Sequence, residues 1–211
     1  MKKILIFLLA CMLCVGANAQ QNQPQLSETE LRNAQTQILK AVENLKSYIE
    51  RLGNSEAAGG ASPEERTRIL KYIKRAFFDW PNRYVSVTSR SHPNGRRVKA
   101  ENYFFNLSRQ ASAKDGYIRI YRVETDEVML SKRIMNVNNY HLVSHKNGVK
   151  AYRIRLPFHQ IFIRTNDRYD ERTSKTHTQV DKDNKMVDVY ILIDDFDDGI
   201  IAKLGNVTIK K

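Results

Sequence analysis

Cysteine is nearly missing from this chain. Its 211 residues hold two, Cys11 and Cys14, both close to the N-terminus. Beyond them the sequence offers no disulfide, no thiol nucleophile and no thiolate metal site, so a hydrophobic core alone must hold the fold. Acidic residues are also in short supply, 23 against 35 Lys and Arg, for a formal net charge of +12. A field of that sign favours anionic partners: acidic polysaccharide, lipid phosphate or an acidic protein face. No apolar run approaches the roughly 20 residues of a membrane-spanning helix. Several catalytic signatures are missing as well. There is no Gly-x-Ser-x-Gly elbow, no phosphate-cradling glycine loop and no zinc-protease helix, and nothing in the sequence calls for a cofactor.

What is present begins at residue 2. Lys2 and Lys3, the apolar run Ile4 to Val15 and the small-residue exit Ala17-Asn18-Ala19 have the form of a secretory signal peptide cleaved after Ala19. Its removal would discard both cysteines and lower the formal charge by two. A competing reading takes Leu8-Leu9-Ala10-Cys11 as a lipobox, with Cys11 kept and lipidated. Either way the sequence predicts an exported chain, periplasmic or associated with the outer membrane. Such a chain rarely meets nucleic acid, and no nucleic-acid signature is present.

The glutamine-rich stretch 20–26 lacks periodicity and reads as a disordered leader. Ser27 and Glu30 have capping-box spacing. Leu31, Ala34, Ile38, Ala41, Leu45, Tyr48 and Leu52 then recur at steps of three and four, a heptad seam that Val42 and Ile49 widen. The pattern predicts an amphipathic helix over 27–53 that either docks on its own domain or self-associates. Residues 54–61, with Gly59-Gly60, read as a flexible linker. Ser62, Pro63 and Glu65 open a second helix, expected to run through Trp80 and stop at Pro81.

From there the period becomes two. Strands are expected at 84–89, 117–124, 128–137, 140–144, 149–164, 186–193 and 200–209. A short helix is expected at 100–110, turns at His92-Pro93-Asn94-Gly95 and Lys146-Asn147-Gly148, and a polar excursion at 166–184. Two leading helices followed by long, mostly antiparallel strands make an α+β domain, helix packed across a strongly curved sheet.

Ile73 to Ser89, the helix carrying Tyr103-Phe104, and above all Ile200-Ile201-Ala202-Lys203-Leu204-Gly205-Asn206-Val207-Thr208-Ile209 resemble the small exported nuclear transport factor 2-like proteins of Gram-negative bacteria over residues 62–211. The resemblance implies a cone, a bent sheet around a cavity with helices as its cover. It also implies two possible functions: a ligand-binding or assembly module without activity, or an isomerase or cyclase with an acid–base pair inside the cone.

For the second, His159 or Asp188 is the candidate base, with Tyr152 or Tyr190 polarising a carbonyl. For the first, Arg153, Arg155, Arg164, Arg168, Arg172 and Lys175 follow one strand and its loop, and Arg90, Arg96, Arg97 and Lys99 surround the first turn. If both sets share a side, they form an anion-binding surface of guanidinium forks, with Tyr152 and Tyr169 adding aromatic area. The partner would then be an envelope protein, an anionic glycan or lipid. Two weaker candidates complete the set. Asp194, Asp195, Asp197 and Asp198 before Gly199 could hold calcium, but their spacing is that of a solvated hairpin turn. His141 and His145 would meet only on a helix, and the pattern there is strand. His92 and His177 carry no further signal.

Overall fold

A computed structural model describes residues 26–89, 91–166, 178–197 and 199–210. The signal segment, Cys11, the leader to residue 25, and Arg90, Arg168, Tyr169, Arg172, Lys175, His177 and Asp198 lie outside the described residues.

Helix α1 (Glu28–Gly53) begins at the expected capping box. Glu30 N donates to the Ser27 hydroxyl at 3.2 Å, and Ser27 N donates to the Glu30 carboxylate at 2.7 Å. Two amides of the open first turn are thereby satisfied. Its seam residues Leu31, Ala34, Ile38, Leu45, Ile49 and Leu52 are buried in the same core cluster as the sheet residues. The seam is therefore consumed inside the chain, and self-association through it would require the domain to open.

The stretch 54–61 is a bonded connection, contrary to the flexible linker its composition suggests. It holds a 3-10 turn at Glu56–Ala58. Ser55 N donates to Arg119 O at 3.0 Å, and Arg119 N donates back to the Ser55 hydroxyl at 3.1 Å. A Cβ on Gly60 would lie 2.0 Å from Asn54 O. Glycine is there for close backbone approach, not for slack.

Helix α2 (Pro63–Ala76) starts at Ser62 as expected but ends four residues before Trp80. Phe77 leaves helical geometry to bridge Leu204, and Phe78 N donates to Leu204 O at 2.8 Å. Phe77 also packs edge-on against Trp80 and Phe104, at 5.0 and 5.8 Å. This tertiary burial outweighs another helical turn. Strands β1 (Tyr84–Ser89) and β2 (His92–Lys99) form a hairpin. The expected turn at His92–Gly95 lies inside β2, because β2 is an edge strand that tolerates Pro93. Gly95, at φ +80°, accommodates the register shift opposite Val87 to Ser89.

Helix α3 (Ala100–Ala111) buries Tyr103, Phe104, Leu107 and Ala111, and β3 (Tyr117–Glu124) follows. The strand expected over 128–137 is instead helix α4 (Glu127–Ile134). Asp126 caps it, accepting from Met129 N at 2.9 Å. Leu130 and Ile134, four apart, are buried, whereas Val128 is 65% exposed. Three apolar residues at even spacing imitate a strand, and the cap decides for the helix. Strands β4 (His141–Lys146) and β5 (Val149–Asn166) join through Asn147 and Gly148, both at positive φ, the geometry of a tight hairpin turn. Strand β6 (Thr178–Asp194) includes residues 178–184, expected as loop; their charge hid a strand that pairs with β5 from Thr165↔Thr178 onward. Strand β7 (Ile200–Ile209) closes the chain.

The sheet order is β2-β1-β7-β6-β5-β3, with β4 also beside β5. Every pairing is antiparallel except β1 with β7, which meet at Val85↔Val207. The sheet curls into a half-barrel around the helices, an α+β fold consistent with a cone. Tyr152, Ile154, Leu156 and Phe158 of β5 and Val187, Val189, Ile191 and Ile193 of β6 face the core. No helix among the described residues is long and apolar enough to cross a membrane.

Toward residue 183 of β6 this inner face turns polar. Lys185 is 1% exposed. Its ammonium donates to Gln160 Oε1 at 3.0 Å and lies 3.6 Å from Asp183. The Tyr103 hydroxyl donates to the same Gln160 oxygen at 3.0 Å, and Thr88 donates to Asp183. Burial pushes Lys185 down to about 8, with Asp183 opposing. Between that value and the ordinary lysine value the unfolded chain binds more protons than the folded one, so this group makes stability rise with pH across the window. Lys185→Met removes this titration but leaves Asp183 without its counter-charge, so the test is the pH dependence: the parent chain is expected to gain stability between pH 7 and pH 10 and the variant to lose that gain. Urea unfolding of both proteins at the two pH values checks it.

Candidate functional site

Period two along β5 and β6 assigns each side chain to a face. With Ile154, Leu156 and Val189 inside, Arg153, Arg155 and His159 of β5 and Asp188 and Tyr190 of β6 belong to the outer face. Register places Arg155 opposite Asp188, and Arg153 between Tyr190 on one side and His141 of β4 on the other. The Arg155 Nε donates to Asp188 Oδ1 at 3.0 Å, leaving its terminal amino groups free of that contact. Asp188 is 5% exposed at the side chain, Arg155 about half exposed.

Arg133, from the last turn of α4, completes the arrangement. Asn139 Nδ2 donates to Arg133 O and the Tyr140 hydroxyl to Ile134 O, both at 2.8 Å. These bonds tie the helix C-terminus to the start of β4. Arg133, Asn139, His141, Arg153 and Arg155 line a cleft of about 170 Å³. Three arginines line it, and among the described residues only Arg155 has a carboxylate partner, Asp188.

The neighbouring outer surface is built on aromatic rings. Phe78 stacks on Tyr190 at 4.6 Å. Arg83 lies 5.0 Å from the Tyr190 ring centre, donating to the Tyr190 hydroxyl at 3.3 Å and to Phe78 O at 2.5 Å. Gly205 makes room for this: a Cβ there would fall 2.5 Å from the Tyr190 ring and 2.9 Å from the Asp188 Cβ. The Leu-Gly-Asn-Val run thus has a structural role at each position. Leu204 and Val207 enter the core, Gly205 seats Tyr190 and Asp188, and Asn206 accepts from Tyr84 N at 3.2 Å.

Of the predicted cations, Arg153 and Arg155 come together. Arg164 does not join them. It is an odd number of residues away and so on the other face, its guanidinium 3.7 Å from the Tyr117 ring centre. Its Nε is buried without a hydrogen-bond partner among the described residues. Arg96 and Arg97 lie on β2, with β1, β7 and β6 between them and β5, about 19 Å at ordinary strand spacing. Arg97 sits over Tyr84 and Lys99 donates to Pro81 O. The single cationic side expected from both sets is corrected accordingly: strand parity and sheet order divide it.

The acid–base alternative is corrected by the same parity. Tyr152 points inward, whereas Asp188, Tyr190 and His159 are outside. His159 Nδ1 is 2.7 Å from Asn184 Oδ1, and Asp188 is tied to Arg155, so these residues form no pair within the cone. At the β6–β7 turn, Asp194 accepts from Phe196 N at 3.0 Å. Asp195 lies 2.7 Å from both the Lys150 ammonium and His145 Nε2, and Lys150 foremost holds its carboxyl below the ordinary range. Asp197 is exposed beside Gly199. His141 faces Arg153 while His145 meets Asp195, so the two histidines diverge. Arg133 lies in a segment whose apolar spacing predicts a strand; the Asp126 cap is the sequence signal that places it on a helix.

Gly205→Ala tests the construction of this face. The added methyl must displace Tyr190 and Asp188, with an expected loss of about 1–3 kcal/mol by overpacking, read from the urea midpoint.

The chain matches no protein-family model and no curated protein.

Proposed function

We propose that this protein is a non-catalytic cell-envelope binding module whose outer sheet face takes an anionic group of a partner. The observation that carries the reading is the cleft lined by Arg133, Arg153, Arg155 and His141, with Arg155 held by the buried carboxylate of Asp188. Guanidinium forks grip carboxylate, sulfate or phosphate oxygens in pairs. Arg155 is pre-oriented by Asp188, which limits the side-chain entropy lost on binding. Arg133 and Arg153 bring charge without a paired carboxylate among the described residues. The net charge adds a long-range attraction for the same class of partner.

The partner class is an anionic glycan, lipid headgroup or acidic protein face. An exported setting is part of the proposal and rests on Lys2-Lys3, the apolar run 4–15 and Ala17-Asn18-Ala19. Kinship with the nuclear transport factor 2-like proteins is likewise proposed, supported by helices leading into a curled sheet whose first strand lies parallel to its last.

The paired substitution Arg153→Gln/Arg155→Gln is expected to weaken binding to heparin, used as a general polyanion, by tenfold or more at about 0.15 M salt, where distant surface charges are largely screened. Arg96→Gln/Arg97→Gln removes the same charge from the far edge and is expected to change it less than threefold. Equal losses from the two pairs would reduce the interaction to net charge and overturn the assignment.

A further inference from the structure

A second cleft, on a different part of the molecule, lies between α1, the C-terminal end of α2 and β7. Its volume is about 270 Å³. Gln37, Lys40, Asn44 and Tyr48 come from α1, Tyr72 and Arg75 from α2, and Lys203 from β7. Three cations line it and no carboxylate does. The side chains are held. The Lys203 ammonium donates to Arg75 O, a carbonyl of the last turn of α2. The Arg75 guanidinium lies over the Tyr72 ring at 5.6 Å. Tyr72 is half exposed, and Tyr48 is half-buried with its hydroxyl pushed above the ordinary phenol range by burial, so it stays a donor.

We infer that this cleft binds an acidic sugar unit, a hexose bearing a carboxylate. The chemistry of the lining divides as such a ligand requires. Arg75 and Lys203, joined by the Lys203 bond to Arg75 O, supply cations for the carboxylate, and Lys40 a third. The amides of Asn44 and Gln37 can both donate to and accept from ring hydroxyls. The tyrosines supply ring faces and a phenol donor. The volume accommodates one ring and not a long chain. An acidic peptide would also meet the cations, but its side chains would want apolar subsites, and the lining apolar residues are only Ala41, Ala76, Ala202 and Leu204. This site is independent of the Arg153–Arg155 cleft and does not rest on it.

The full exported chain is titrated with D-glucuronate, followed by two-dimensional amide NMR, against D-glucose, sodium sulfate and a glutamate tripeptide. Glucuronate is expected to saturate with shifts centred on the Tyr72 and Lys203 amides, and glucose to bind at least tenfold more weakly. Arg75→Gln and Lys203→Gln, both at the surface, should each weaken glucuronate at least fivefold with the spectrum otherwise retained. Tyr72→Ala should weaken glucuronate but leave any sulfate binding unchanged. The Arg153→Gln/Arg155→Gln protein should bind glucuronate as the parent does. No saturation with glucuronate overturns the inference. So does tighter binding of the tripeptide at the same amides, which would make this a peptide site. Loss of the shifts in the Arg153→Gln/Arg155→Gln protein also overturns it, because the ligand would then sit in the other cleft.

Discussion

From Val149↔Asp194 to Thr165↔Thr178, β5 and β6 pair residue for residue with no bulge. Because side chains alternate along a strand, this one register decides what the whole molecule presents to its inside and its outside. It sends Ile154, Leu156, Phe158, Val187, Val189 and Ile191 toward α1, and it sends Arg153, Arg155, Asp188 and Tyr190 away from it. A slip by one residue would bury two arginines and expose the core. The pairing is therefore specified by burial on one face, and the charge on the other face follows without further cost.

Where the same register brings a charge inward, the chain compensates in different ways. Lys185 keeps its proton in the core at neutral pH only with help from Gln160 and Asp183, and burial still depresses it. Arg164 covers a tyrosine ring, its Nε without a partner among the described residues. Arg66, buried in α2, has an Nε in the same condition, but its terminal nitrogens donate to Asn54 O, Ser108 O and the Ser112 hydroxyl, so it ties the α1–α2 connection to α3. On the outer face Asp188 is buried against Arg155, and Arg155 itself remains half open to solvent, the state the proposed binding requires.

Much of this was legible in the residues. The Ser27 and Ser62 caps, the stripe of α1, the Tyr103-Phe104 helix and the Asn147-Gly148 turn each rest on local chemistry, and each is present. The misreadings share a cause: a local signal outvoted by a distant contact. Phe77 leaves its helix because Leu204 and Phe104 offer more burial. Residues 178–184 look like loop until β5 is beside them. The heptad seam was ambiguous because a stripe on one helix does not say whether its cover is another copy or its own sheet. The cationic site was half visible, since Arg153 and Arg155 alternate with Ile154 and Leu156, whereas Arg133 is brought in by a helix that period-two spacing concealed.

The location of chemistry follows from how the half-barrel is filled. A cone that works on a small molecule needs room within, bounded by groups that can exchange protons. Here α1 lies along the concave side, and Ile38, Leu45 and Ile49 meet the β5 and β6 side chains in one continuous cluster with Phe104 and Ile134. Tyr103, Gln160 and Lys185, polar groups that reach the inside, bond one another, and Lys185 also faces Asp183. The proposed binding is accordingly placed outside the core, at the two cationic clefts. They lie on different elements, one built from α4, β4 and β5, the other from α1, α2 and β7. Under the proposed function, a polyanion long enough to reach both would gain by effective concentration what neither small cleft supplies alone. Affinity should therefore rise more steeply with chain length than the charge per unit would require.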